Sequence, residues 1–309
     1  MANAPFPIDP HLTAIAVAYR NSAYIADEIL PRVPVGKQEF KYDVYPIDET
    51  FRLPDTKVGR KGKPNEVDLT ASEVTASTED FGLEDPIPQA DIDNAAPGKN
   101  PLDRAIMQLS DYIALDREKR TADIVFNANQ YAAGNKITLS GTSQFSDFAN
   151  SDPLGVLIAG MDACLVRPNR VVLGQEVWSK LRQHPKIVKA VLGNAGDSGI
   201  ARASDLAQLL EVEQVLVGQS RLNTAKKGQA ATLARVWGKH ALLAHVNKLA
   251  ATQGSLTFGF TAQWGQRIAG TMEDKNIGLR GGQRARVGES VKELISAANA
   301  AYFVENAVA

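Results

Sequence analysis

A single cysteine, Cys164, stands in 309 residues, which excludes an internal disulfide and any cysteine-built metal cluster and fits a reducing compartment. Folding therefore rests on packing. Excess charge is also missing: 34 bases meet 35 acids for a formal charge of −1, so no global field draws the molecule to nucleic acid or an anionic membrane. Any such contact must be local. No apolar run approaches the roughly 20 residues of a membrane helix, and the N-terminal MANAPFPIDPHLTAIAVAY lacks a base ahead of an apolar core. This predicts a chain that is neither exported nor membrane-spanning. No repeat of solenoid period is present.

What is present suffices for a core, since 44% of residues are hydrophobic in a chain long enough for about two domains. Residues 1–39 hold Pro5, Pro7, Pro10, Pro31 and Pro34 around one apolar stretch, Leu12 to Ile29, and read as an arm with a helix in it. From Phe40 the pattern alternates, with Phe40, Tyr42 and Val44 on one side and Lys41, Asp43 and Tyr45 on the other. A second alternating run sets Val67, Leu69 and Ala71 against Glu66, Asp68 and Thr70. Two strands and a tip predict a long hairpin.

That hairpin has little to bury, and an isolated two-stranded ribbon is marginal in water. Its tip, residues 55–65, carries Lys57, Arg60, Lys61 and Lys63 against Asp55 alone. Residues 79–93 hold Glu79, Asp80, Glu84, Asp85, Asp91 and Asp93 and no base. A stiff ribbon keeps its tip away from its own base, so the preferred expectation is pairing between neighbouring chains. The alternative is two solvated patches, because exposed ion pairs contribute only about 0–1 kcal/mol each.

The best-marked helix follows. Asn100 is placed to cap it, Pro101 fits the first turn, and Asp103 complements the macrodipole. Leu102, Ala105, Ile106, Leu109, Tyr112, Ile113 and Ile124 form a stripe that Asp116, Arg117 and Arg120 interrupt, with Asp116 and Arg120 an i,i+4 pair. Beyond turn-rich residues 134–153, short helices alternate with β-branched runs: strands at 171–173 and 214–218, helices at 175–181, 185–193 and 204–210, the last with Ser204 as expected N-cap. Further strands are expected in TLARVWGKHALLAHV and SLTFGFTAQW, and SVKELISAANAAYFVENAV reads as a closing hairpin.

This order of arm, hairpin, long helix, α/β insert and tail resembles the major capsid proteins of tailed bacteriophages, the Hong Kong 97 type fold shared with encapsulins. The residues that carry it are EILPRVPVGKQEFKYDVY, PLDRAIMQLSDYIALDREKR, VVLGQEVWSKL with DLAQLLEVEQVLVG, and VKELISAANAAYFVENAV. The resemblance implies an α+β fold divided into an N-terminal arm (1–45), an E-loop hairpin (46–90), a P-domain with a spine helix (91–152), an inserted α/β A-domain (153–250) and a return to the P-domain (251–309). It implies a structural head protein with no catalytic, cofactor or metal residues. Copies would assemble as pentamers and hexamers into an icosahedral shell around packaged double-stranded DNA, in the host bacterial cytoplasm, and end in the virion. The hairpin would overlap a neighbouring subunit, making Lys57, Arg60, Lys61, Lys63, Glu79, Asp80, Glu84 and Asp85 inter-subunit contact candidates. A separate scaffolding protein or none, a portal and a decoration protein are implied partners, with nonspecific DNA contact and no membrane. Some relatives join a hairpin lysine to an asparagine; Lys57, Lys61, Lys63 and Asn306 have that chemistry. On this reading neither the ribbon nor the leading arm is sheltered within one copy.

The rival classes are an encapsulin-type compartment and a cytoplasmic hydrolase. Against the second, Cys164 lies in apolar MDACLV without an adjacent base, and His240 and His245 lack the HExxH spacing of a zinc site. GNAGDSG (193–199) matches no phosphate-cradling motif and reads as a surface loop. GLRGGQRARVG (278–288) offers Arg280, Arg284 and Arg286 without interleaved aromatics, which argues against a sequence-specific DNA reader.

Overall fold

A computed structural model describes residues 7–18, 24–44, 53–60, 62–66, 72–193, 199–248 and 256–309. Helix α1 (Pro10–Ala18) starts where the Asp9 carboxylate accepts the His11 N–H at 2.8 Å, and a short α2 (Ala26–Ile29) leads into strand β1 (Arg32–Val35). Strands β2 (Glu39–Val44) and β3 (Ser72–Ser77) pair antiparallel from Glu39↔Ser77 to Val44↔Ser72. The predicted hairpin therefore exists, but its returning strand is 72–77; Val67, Leu69 and Ala71 lie outside the described residues. β4 (Glu79–Pro88) and α3 (Gln89–Asp93) then reach the long helix α4 (Pro101–Val125), whose first turn is capped by Asn100 Oδ1 accepting from Leu102 N at 3.0 Å. Its 25 residues span about 38 Å.

The remaining elements are β5 (Lys136–Thr138), α5 (Pro153–Ala163), β6 (Arg170–Gly174), α6 (Gln175–Leu181), α7 (Pro185–Leu192), α8 (Ala203–Leu210), β7 (Gln214–Gly218), β8 (Arg221–Asn223), β9 (Leu233–Arg235), β10 (Ala241–Ala244), β11 (Gly259–Asp274), β12 (Gly282–Ile295) and β13 (Ala301–Glu305). Helix α8 begins one residue earlier than predicted. Arg202 is its N-cap and Asp205 accepts the Arg202 N–H at 2.9 Å, so Ser204 is inside the helix and does not cap it.

Two sheets organise the molecule. In one, β1, β11, β12 and β4 lie side by side; in the other, β5, β13, β10, β6 and β7. Helix α4 serves both. Its N-terminal half packs Ala105, Ile106, Leu109 and Ile113 with Leu12 and Ala16 of α1 and with Ala269, Ala285 and Val287 of the first sheet. Its C-terminal end meets Val172, Leu242 and Phe303 on one face of the second sheet. The opposite face of that sheet buries Val171, Leu173 and Leu243 under the apolar sides of α5 to α8.

The tail forms no closing hairpin. β12 pairs with β11 and β4 in the first sheet, while β13, five residues on, pairs with β10 and β5 in the second. Strand β12 can run long because its buried side alternates Ala285, Val287, Glu289, Val291 and Glu293. The arm also departs from expectation: among the described residues α1 and β1 are seated on the chain's own first sheet, with Thr13 Oγ1 donating to Ala269 O at 2.9 Å and β1 parallel to β11.

Candidate assembly surfaces

Two carboxylates of β12 face inward in phase with its apolar residues, and an ionised group buried alone would be prohibitively costly. Glu289 receives Arg32 Nη1 at 2.9 Å and Arg267 Nη2 at 3.0 Å. Burial pushes the Glu289 carboxyl up, but Arg32, Arg267 and Arg117 outweigh it and hold it below the usual carboxylate range. Glu293 receives Arg120 Nη1 at 2.6 Å, with Arg117 Nε 3.7 Å away. Arg117, which is 2% exposed, also reaches Asp27, Leu30 O at 3.2 Å and Thr261 Oγ1 at 3.0 Å. Arg117 and Arg120, which interrupt the apolar stripe of the helix, are thus its clasp on the arm and the first sheet, while Asp116 stays exposed beside Arg120. Tyr112, read as part of the stripe, is half exposed.

Next to this clasp, the fully buried Glu118 accepts the N–H groups of Ile25 (3.0 Å) and Ala26 (2.9 Å) and Trp237 Nε1–H (2.6 Å). Burial pushes its carboxyl up despite these donors. Glu118 therefore joins the arm, the long helix and the connection between β9 and β10 in one contact. Trp237 fits because Gly218 lies beneath it: a Cβ there would come within 2.1 Å of the indole ring.

The arm and helix are thus fixed within the chain, whereas the hairpin tip is not. Residues 53–60 and 62–66 are exposed throughout, Leu53 to 90%. The tip is ordered by its own atoms, with Asn65 Nδ2 donating to Asp55 O at 2.8 Å, Gly62 N to Gly59 O at 2.8 Å and Lys63 paired with Glu66. Lys57 and Arg60 are exposed; Lys61 lies outside the described residues. At the base, Phe40 and Tyr42 share a face, and Tyr42 meets Phe260 edge-on at 5.8 Å.

The acidic stretch has partners in its own chain. Glu79 pairs with Lys292, Asp80 accepts from Ser290, and Glu84 pairs with Arg286 and with Arg284 at 3.7 Å. Each pair crosses the β4–β12 ladder, in which Glu84 faces Arg286 directly. Asp85 is exposed. Arg284 further pairs with Asp274 at 2.6 Å, so two of the three arginines in GLRGGQRARVG are occupied and only Arg280, at the exposed turn, is not among these pairs.

The residues weighed for the rival chemistry are engaged in other contacts. Cys164 Sγ–H donates to Gly160 O at 3.2 Å, and burial pushes the thiol up to about 12, far from a reactive thiolate. His240 Nδ1 accepts Asn306 N–H at 3.1 Å and His245 Nδ1 lies 3.1 Å from Arg167 O. Among the described residues no group of three His, Cys, Asp or Glu could hold a metal, and no helix is long and apolar enough to cross a membrane. Most of GNAGDSG, residues 194–198, lies outside the described residues.

No family model matches the sequence. The chain is 57% identical, over 309 residues and the whole of both chains, to the major capsid protein of Pseudomonas phage JBD67. To that of Burkholderia phage BcepMu it is 32% identical over 247 residues, 77% of this chain and 76% of the relative. A phage-related protein from Bordetella bronchiseptica RB50 shares its fold with a TM-score of 0.79 at 24% identity, over 98% of each chain. So do the capsid of cyanophage P-SCSP1u (TM-score 0.58, 10% identity, 93% of this chain and 89% of that one) and an encapsulin complex from Synechococcus elongatus PCC 7942 (0.51, 10%, 94% and 90%). The fold is α+β, of the Hong Kong 97 type that phage capsids and encapsulins share. Within that class the chain belongs to the family of phage major capsid proteins. It is a component of the virion capsid and not an enzyme.

Proposed function

We propose that this capsid subunit closes pentamers and hexamers into an icosahedral shell around double-stranded DNA, and that its hairpin lies across the adjacent subunit. The observation that carries this reading is the contrast between an arm and helix clasped within the chain and a tip exposed along its described length. Lys57, Arg60, Lys61 and Lys63 then face the acidic strand of a neighbour, where Asp85 is exposed. Glu79, Asp80 and Glu84 contribute as carboxylates shared with β12, since each already has a partner there. The division at 1–45, 46–90, 91–152, 153–250 and 251–309 belongs to this reading, with the qualification that β13 completes the sheet of the inserted domain. A scaffolding protein, a portal and a decoration protein are its expected partners, the host cytoplasm its place of assembly, and packaged DNA a nonspecific contact.

Many weak repeated interfaces are sufficient, because linked contacts multiply in effect. Reversing Lys57, Arg60, Lys61 and Lys63 to Glu should leave unfolding of the protomer unchanged and remove fast-sedimenting particles. Unchanged particle yield from that variant would remove the hairpin from assembly.

A further inference from the structure

Charge is segregated along this chain far more than its net value suggests. Residues 64–98 hold nine acids and no base, while residues 214–272 hold seven bases and no acid. Some of these charges are neutralised within the fold: Glu66, Glu73, Glu79 and Glu84 have cations, and Lys248 and Arg267 have carboxylates. Among the described residues no ion pair reaches Arg221, Lys226, Lys227 or Arg235. All four are on the ribbon formed by β8, β9 and their connecting turn.

That ribbon is built at a cost. Arg221 and Arg235 are direct cross-strand partners, so two guanidinium groups share one face with no anion beside them, an arrangement that destabilises an antiparallel pair. The opposite face is anchored, with Leu222 against the cluster around Trp237 and Phe303. The turn is fixed as well: Asn223 Oδ1 accepts the N–H groups of Ala225 at 3.1 Å and Thr232 at 2.9 Å, and Gly228 takes φ 90°. The exposed face thus combines two arginines, two lysines at the turn and Leu233, which is 60% exposed. An apolar anchor among cations suits an acidic protein surface better than a phosphate backbone, which offers a leucine nothing to pack on.

The chain itself supplies the complementary surface. Asp91 and Asp93 on α3 are exposed, and no ion pair among the described residues reaches them. We propose that the β8–β9 ribbon is a docking prong that seats on the acidic α3 segment of a second copy, an inter-subunit contact separate from the hairpin and resting on the shell-subunit reading. The opposed arginines are retained because the partner's carboxylates neutralise them in the assembled state.

The test uses the purified full chain, treated with nuclease. Arg235→Glu converts the like-charge pair into Arg221 facing Glu, so its unfolding midpoint should equal or exceed that of the unaltered chain. Its particle yield in sedimentation should nevertheless fall at least about tenfold, since the change repeats at every interface. Arg235→Gln should give a smaller fall, and keeps the test intact if the reversal impairs folding. Asp91→Lys with Asp93→Lys should also lower the yield, and combining these with Arg221→Glu and Arg235→Glu in one chain should restore it. Unchanged yield, or no restoration in the combined chain, overturns the prong. Loss of binding to a short DNA duplex with normal particle yield overturns it in favour of nucleic acid. Particles absent even from the unaltered chain would overturn the shell reading and the prong with it.

Discussion

Arg117 shows what a single side chain contributes here. It is buried against Asp27, Leu30 O, Thr261 and Glu293, so shortening it opens a void and withdraws one of the two cations at each carboxylate, leaving Glu293 to Arg120 and Asp27 to Arg32. Arg117→Ala is expected to lower protomer stability by about 3–5 kcal/mol, measured from denaturant midpoints at constant slope. Glu289 adds a pH dependence. Its folded pKa is depressed, so the unfolded chain binds the proton more readily and the stabilisation is present above the unfolded value. It is lost as pH falls below the unfolded glutamate value of about 4.3 and through the depressed folded one, and Glu289→Gln should flatten that limb of the stability curve. Glu118 contributes with the opposite sign, because its raised pKa favours the folded state as pH falls. Gly218→Ala forces the Trp237 ring aside and strains its bond to Glu118, for an expected loss of about 1–3 kcal/mol by thermal or chemical denaturation. Little of this was legible in the sequence. Arg117 and Glu293 are 176 residues apart in number, and the signal available was the phase of Glu289 and Glu293 with Ala285, Val287 and Val291, a buried strand face that includes two acids.

Whole elements were far more legible, wherever local chemistry decides the outcome. Helix α6 at 175–181 and strand β7 at 214–218 occupy the ranges their patterns predict, and Asn100 caps α4 as its position implied. Asn100→Ala should therefore cost about 1 kcal/mol, seen as a shifted unfolding midpoint with little effect on assembly. What could not be read was which strand goes to which sheet. SVKELI and AYFVE look alike as apolar runs, yet the turn at Ala298–Ala300 sends one to β11 and the other to β10. The acidic stretch was legible as acidic, but its partners, Arg284, Arg286 and Lys292, became visible only once β4 lay beside β12.

For the whole molecule, a closed body is clasped internally and a charged ribbon is left outside it. The arm, predicted to need company, is held by Arg32, Arg267 and Glu289 within one copy, whereas the hairpin tip is exposed along its described residues. Exposed tip charges are screened with a Debye length of about 10 Å at 0.1 M salt, while the buried clasp is not. Raising ionic strength should thus slow particle formation, followed by light scattering, with the unfolding midpoint almost unmoved.

Electron microscopy of two purified chains, unaltered and lacking residues 55–65, is the most direct test of a protomer that folds alone but builds a shell through its hairpin. The unaltered chain should give closed shells and the deletion folded, dispersed protomers or small oligomers. Shells of normal size and number from the deletion would contradict the account.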